Sequence, residues 1–235
     1  MRAYKIYSVL VVSLLCIHNQ SLSASCHEKD KQKLLETNTC ANCNLSFCDL
    51  SGLSFESLKL QDTTLINANL AGARISYSTF INVDLTHSNL SNTQLIEVYF
   101  DNTNMTGVNL SHTYWGHVSL NRVNLTAANM QHAQLSQNKL ANTVNLTGTD
   151  LSHAELFGYR FSNTNLVGTN LHNTTILSTY FPNADFTKAN LNQADLHCTS
   201  LQDATILAEQ IKEMKNNECF DHPLCKYAQD PGFCP

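Results

Sequence analysis

Residues 65–90 read LINANLAGARISYSTFINVDLTHSNL, and every fifth position of that stretch, Leu65, Leu70, Ile75, Phe80, Leu85 and Leu90, is a large apolar side chain. A period of five fits neither a 3.6-residue helix nor a two-residue strand, so the chain has to turn a corner in every repeat. The series extends upstream through Leu60, Phe55 and Leu50 to Leu45, and downstream through Phe100, Leu110, Trp115, Leu120 and Met130 to Leu140. After one six-residue step it resumes at Leu146 and runs on to Ile206. Two residues before most centres the side chain is small, as at Ala68, Ala73, Ser88, Ala128, Ala133, Ala154, Ala184, Ala189 and Ala194. The unit is therefore a small inward residue, a polar residue, a large inward residue and two outward turn residues. The extra residue between Leu140 and Leu146 is expected to be a corner insertion within one continuous body, because the pattern continues unchanged beyond it.

The segments NANLAGARI, AANMQHAQL and FTKANLNQADL resemble the A-(D/N)-L-x-x unit of pentapeptide-repeat proteins. The resemblance covers about 33 repeats, roughly Cys43 to Ala208. It implies an all-β fold, a right-handed quadrilateral β-helix with four repeats per coil and about eight coils. Sorting the centres modulo twenty tests this, and four faces of different character emerge. On the first face the residue before the centre reads Asn44, Thr64, Asp84, Asn104, Asn124, Asn145, Asn165, Asp185; on the second it reads Asp49, Asn69, Asn89, Asn109, Asn129, Asp150, Asn170, Asn190. The third carries Ser54, Arg74, Gln94, Tyr114, Gln134, Glu155, Thr175, Asp195, and the fourth Lys59, Thr79, Tyr99, Ser119, Lys139, Arg160, Tyr180, Ser200. Centres of the fourth face, among them Phe80, Phe100, Phe161 and Phe181, predict aromatic rings stacked in pairs along the core. Eight coils at about 4.8 Å each make a rod roughly 40 Å long.

Each coil buries four large side chains at roughly 1.5–3 kcal/mol apiece, so stability comes from neighbouring coils rather than from one globular centre. Ranks of Asn add side-chain hydrogen bonds between coils without the repulsion of stacked carboxylates. Open end coils expose strand edges and apolar surface, and caps are therefore expected.

The chain divides into a secretory signal peptide at 1–24, an N-terminal cap at 25–42, the solenoid at 43–208 and a capping helix with a disulfide-tied tail at 209–235. Arg2 and Lys5 precede an apolar run from Ile6 to Ile17 and a small-residue stretch, a run too short for a membrane span. After the signal is removed no membrane span is expected, and the location is secreted or periplasmic. Eight cysteines then remain, Cys26, Cys40, Cys43 and Cys48 before the solenoid is established and Cys198, Cys219, Cys225 and Cys234 at its end. In an exported protein they are expected to form disulfides within each terminal group, with the pairings open. Cys40-Ala-Asn-Cys43 also has the spacing of a zinc or redox pair. The segment around Leu34 and Leu35 is expected to form a short helix, and Leu207, Ile211 and Met214 to lie on one stripe of another.

Candidate sites are few. His112, His132 and His153 fall on consecutive coils at one outward position, with His172 one position away; the spacing makes them a weak metal candidate, since three imidazoles in a straight line do not converge on one tetrahedral centre. No nucleophile elbow, Gly-rich phosphate loop or convergent carboxylate pair is present, so the chain is read as no enzyme and needs no cofactor. A net charge of −5 with no basic stripe argues against nucleic acid as a partner. Some pentapeptide-repeat proteins protect type II topoisomerases by mimicking DNA; export and the dominance of amides over carboxylates speak against that here. The first face, with Ser46, Thr86, Thr106, Thr126 and Thr147 after its centres, is an alternative surface for ordering water, ice or a glycan. The same tripeptides create formal glycosylation sequons. The favoured reading is a structural or protein-binding module with an unknown protein partner, and a homodimer through a cap as a further option. Its expected contact residues are Arg74, Tyr99, Tyr114, Lys139, Arg160 and Tyr180, side-chain types that interfaces favour.

Overall fold

The computed structural model describes residues 25–136 and 140–215. The signal segment, Lys139, Cys219, Cys225 and Cys234 lie outside the described residues. Two seven-stranded parallel sheets form two sides of a solenoid, built from three-residue strands spaced about one coil apart. The sheet on the fourth face runs from Thr39–Ala41 to Arg160–Ser162, and that on the third from Ser54–Glu56 to Thr175–Leu177. On the first and second faces the coils touch through single parallel bridges, such as Thr64 to Asp84 and Asn69 to Asn89. Backbone bonds bind each coil to the next: Thr64 N–H donates to the Cys43 carbonyl at 3.0 Å and Leu65 N–H to the Asp84 carbonyl at 2.7 Å.

The difference between sheet faces and bridge faces follows from the residue before the centre. On the first two faces its Asn or Asp Oδ1 accepts the backbone N–H two residues on, as from Ser51 to Asp49 at 3.1 Å, Ala71 to Asn69 at 3.2 Å and Thr126 to Asn124 at 3.2 Å. These are Asx turns, which pull the chain round immediately after the centre. The other two faces lack that acceptor at most coils, and there the backbone stays extended for three residues. At the corners the second outward residue adopts a left-handed conformation, with φ of 55° at Asn67, 52° at Tyr77 and 57° at His112. Asn, His, Asp and Gly tolerate this region best and fill most of the corners. Gly107 also makes room: a β-carbon there would collide with the His87 ring of the coil before it.

The centres are buried as the five-residue count demands; Phe161 and Phe181 stack with ring centroids 5.2 Å apart, while Phe80 and Phe100 meet at 4.7 Å with their planes tilted by 37°. The insertion is not where the count placed it. Ala141 pairs with Leu120 on one side and Phe161 on the other, while Leu140 pairs with Arg160. The centre of that repeat is thus Ala141, and the six-residue step falls between Leu135 and Ala141, one repeat earlier than expected. The small core residue is offset by Tyr159, which occupies a normally small inward position, is fully buried and stacks on Phe161 at 5.3 Å. Both sheets continue across this level.

Helix α1 (Glu28–Thr37) covers the first coil with Leu34 buried, and ends at Asn38 in the left-handed conformation. Asp30 accepts the Asn44 N–H at 2.8 Å, which joins helix to solenoid. Cys26 is bonded to Cys48 and Cys40 to Cys43, a pairing within the N-terminal group that its sequence proximity suggested. Helix α2 (Ala208–Lys212) is shorter than its sequence stripe implies. Leu207 is half exposed because it precedes the first turn, and Gln210 takes the inward place instead. Its amide donates to the Phe186 carbonyl at 2.9 Å, which also accepts the Ala189 N–H, and to the Ala189 carbonyl at 2.8 Å, and its oxygen accepts the Leu207 N–H at 2.9 Å. Met214 is buried, as its place on the stripe predicts.

Candidate functional site

The exterior separates into surface that the fold dictates and surface that it does not. On the first face the side chains interlock. Thr106 donates its hydroxyl to Asn104 Oδ1 at 2.7 Å and accepts from Asn124 Nδ2 at 2.9 Å; Thr126 donates to Asn124 Oδ1 at 2.6 Å and accepts from Asn145 Nδ2 at 3.0 Å. The hydroxyls that would meet water, ice or a glycan are engaged with their own neighbours and half-buried. The sequon amides of Asn104, Asn124 and Asn145 donate into the same ladder. On the second face, amide-to-oxygen bonds link Asp49, Asn69, Asn89 and Asn109, and again Asp150, Asn170 and Asn190. Among the described residues no side-chain bond joins Asn129 to Asn109 or Asp150, so this ladder is interrupted where an unbroken one was expected. Asp150 accepts from Gln131 Nε2 at 2.7 Å. Burial pushes its carboxyl up, but the bonds from Ser152, Gln131 and Asn170 outweigh that and hold it below the usual range. Asp185 is held low by the Thr187 hydroxyl and N–H.

The histidines form a column. His112 and His132 stack with centroids 4.8 Å apart and planes 6° apart, His132 and His153 at 5.0 Å and 12°, and His172 meets His153 edge-on at 5.9 Å. Nitrogen lone pairs of parallel rings run side by side in separate planes, so one ion cannot lie in the plane of two rings at once. His172 is further committed, with one ring nitrogen 3.0 Å from the Asn192 carbonyl oxygen and the other 3.1 Å from Asn173 Nδ2. Among the described residues no cluster of three His, Cys, Asp or Glu side chains is arranged to hold a metal ion. His112, His132 and His153 all have positive φ, so the corner conformation itself explains them.

The third and fourth faces carry the free positions. Arg74 and Arg160 are exposed, Tyr99 and Tyr114 keep 37% and 40% of their surface, and Tyr180 is half-buried. Arg74 donates to Gln94 Oε1 on the next coil at 3.2 Å. The structure adds two aromatics that the sequence reading passed over: Tyr77, 61% exposed at the corner between these faces, and Phe157, 49% exposed just after a third-face centre. Both lie in columns after the centre, whereas Arg74, Tyr99, Tyr114, Arg160 and Tyr180 lie in the column before it.

Family models describing a pentapeptide repeat region and pentapeptide repeats match residues 65–130 and residues 40–76, 145–176 and 178–206 respectively. The chain belongs to the pentapeptide-repeat family. Among solved structures, this pentapeptide-repeat protein is similar to HetL, a protein involved in heterocyst differentiation regulation from the cyanobacterium Nostoc sp. strain PCC 7120, at 23% identity and a TM-score of 0.52 over 77% of this chain and 87% of that one. It also matches QnrB1, a plasmid-mediated fluoroquinolone resistance protein, at 16% identity and a TM-score of 0.42 over 74% and 96% of the two chains. A pentapeptide repeat protein of the Arabidopsis thaliana thylakoid lumen matches at 22% identity and a TM-score of 0.21, over 60% and 74%. No curated protein matches by sequence. The likeness to HetL establishes the fold.

Proposed function

We propose that this pentapeptide-repeat protein is an exported, non-enzymatic interaction module whose third and fourth faces receive a protein partner. The observation that carries the reading is the exposure of Tyr99, Tyr114 and Phe157 on the strands of the two sheets, where the repeat imposes no side chain, with Tyr77 at the corner between them. Desolvating large aromatics that are left in water is favourable when a partner covers them. Arg74 and Arg160 supply directional donors beside them. Export is supported by the two disulfides that tie the N-terminal cap, bonds that persist in oxidising compartments. Among the described residues no helix is long and apolar enough to cross a membrane.

The test is capture of partners from the native compartment with the oxidised protein, followed by affinity measurements on Tyr99→Ala, Tyr114→Ala and Arg160→Ala. Each is expected to weaken binding by about 2 kcal/mol where its side chain is central to the contact, at unchanged melting temperature. Asn129→Ala, which removes an Asx bond, should lower stability and leave binding intact. Loss of binding in Asn129→Ala alone would move the contact to the second face and refute the assignment.

A further inference from the structure

Seven Asn-x-Ser/Thr tripeptides fall within the described residues, and the structure divides them into two groups. Asn89, Asn104, Asn109, Asn124 and Asn145 are half-buried, and each points its Nδ2 along the rod at an oxygen of the coil before it, at 2.9 to 3.3 Å. Asn44 and Asn173 are exposed and stand outside the ladders, for different reasons. Asn44 heads the first-face column. Its Oδ1 accepts the Ser46 N–H at 3.1 Å and the Thr64 hydroxyl at 3.0 Å, but no first-face rung precedes it to receive its amide, and among the described residues its Nδ2 makes no bond. Asn173 is not a ladder position at all. It fills the corner between the second and third faces with φ of 53°, and its Nδ2 reaches the adjacent His172 ring at 3.1 Å, a contact within one coil. The same corner holds Asn92 four coils earlier, where Gln94 in the place of Thr175 leaves no sequon.

We propose that Asn173 and Asn44 are acceptors for N-linked glycans, an inference that rests on the reading of export. In the reaction Nδ2 forms a bond to the anomeric carbon of a sugar carried on a lipid diphosphate. The carbon–oxygen bond to the diphosphate breaks, the lipid diphosphate leaves with that electron pair, and Nδ2 gives up one of its two protons. What the fold decides is which modified chains can form the rod. A sugar ring on a ladder Nδ2 has to lie where an oxygen of the neighbouring coil stands, with coils only about 4.8 Å apart. That breaks an inter-coil bond and separates the coils it joins, so a chain carrying such a glycan is excluded from the folded population. At Asn44 the sugar projects from the end of the first-face column, and at Asn173 from a corner into solvent, and no inter-coil bond is given up at either. Both lie away from the fourth face, which stays clear for a partner.

The test is secretion of the full chain from a eukaryotic host that makes N-glycans, once with the chain's own leader and once with the host's leader in place of residues 1–24. Folded protein is recovered from the medium, its glycans are removed enzymatically in heavy-oxygen water, and the occupancy of each site is read by mass spectrometry. Asn44 and Asn173 are expected to be at least about tenfold more occupied than any of the five ladder sites. Gln94→Thr transplants the Asn173 arrangement to Asn92, and is expected to add a glycan there at unchanged melting temperature. Thr175→Val removes the Asn173 sequon and should remove that glycan alone. Secretion with the host's leader but not with the chain's own would count against export, while the occupancies are still read from the second arm. Ladder sites as occupied as Asn173 in the folded protein, or Asn44 or Asn173 left bare, or Asn92 left bare in Gln94→Thr, would overturn the inference.

Discussion

Replacing Asn124 by Asp tests whether the first-face ladder is held by directional amide bonds or only by backbone stacking. Asn124 Oδ1 accepts from the Thr126 N–H at 3.2 Å and the Thr126 hydroxyl at 2.6 Å, and its Nδ2 donates to Thr106 Oγ1 at 2.9 Å and Asn104 Oδ1 at 3.4 Å. In Asn124→Asp both accepting contacts survive and both donated ones are lost. Thr106 already gives its proton to Asn104, so its lone pairs would face the new carboxylate. A lost hydrogen bond of about 1 kcal/mol plus an unfavourable oxygen pair gives roughly 2 kcal/mol of destabilisation at neutral pH. For a domain of this size that lowers the melting temperature by about 4–8 °C. Protonation would let the variant's carboxyl donate to Thr106, so its folded pKa is raised. A raised pKa means the folded state binds more protons, and stability relative to the parent is recovered as pH falls through it. Asp84 escapes this penalty in the parent because Thr64, not an amide oxygen, precedes it in the column. The assay is thermal unfolding of parent and variant between pH 4 and pH 8. A variant as stable as the parent at every pH would show that the Nδ2 bonds contribute nothing.

Two further outcomes follow from the caps and the carboxylates. Non-reducing peptide mapping should recover Cys26 with Cys48 and Cys40 with Cys43. Cys198 is also disulfide-bonded, and its partner is expected within the C-terminal group of Cys219, Cys225 and Cys234, which lie outside the described residues. A bridge from Cys198 to the N-terminal group would refute this. Asp30, held low by the Asn44 N–H, and Asp185, held low by Thr187, contribute stability above the usual carboxylate pKa that is lost as pH falls through their depressed values. Acid unfolding should therefore begin below about pH 4, and Asp185→Asn should flatten that limb; an unchanged acid limb would count against the Thr187 contacts.

Most of the fold was legible because each inward centre recurs with the corner. The five-residue spacing fixes what is buried, and the twenty-residue spacing separates the faces. The insertion was misplaced by one repeat because Leu140 satisfies the count on hydrophobicity while Ala141 does not. What decides between them is the register against Leu120 and Phe161, a contact between coils that no local window contains. One trace did exist: Tyr159 is far too large for its inward position, and an oversized neighbour is what a small centre one coil away calls for. Gln210 was unreadable for a related reason. A polar residue on a helix stripe looks outward until its amide is seen to reach the Phe186 and Ala189 carbonyls of the last coils.

The site was less legible than the fold because a repeat uses most of its surface for itself. Asn and Asp on the first two faces make the Asx turns and ladders, and corner positions select Asn, Gly or His for their left-handed backbone. The His112–His153 column, which looks like chemistry in the sequence, is therefore what a corner selects, repeated on three coils. The outward positions of the two sheets are different, since a three-residue strand accepts any side chain that tolerates an extended backbone. Thr79, Tyr99, Ser119 and Arg160 occupy equivalent places in one sheet with no change in its pairing. Where the backbone is indifferent to the side chain, an exposed aromatic or Arg is not selected by the turn or the ladder. The proposed function therefore sets the order of mutagenesis: Tyr99, Tyr114 and Arg160 before any member of the amide ladders.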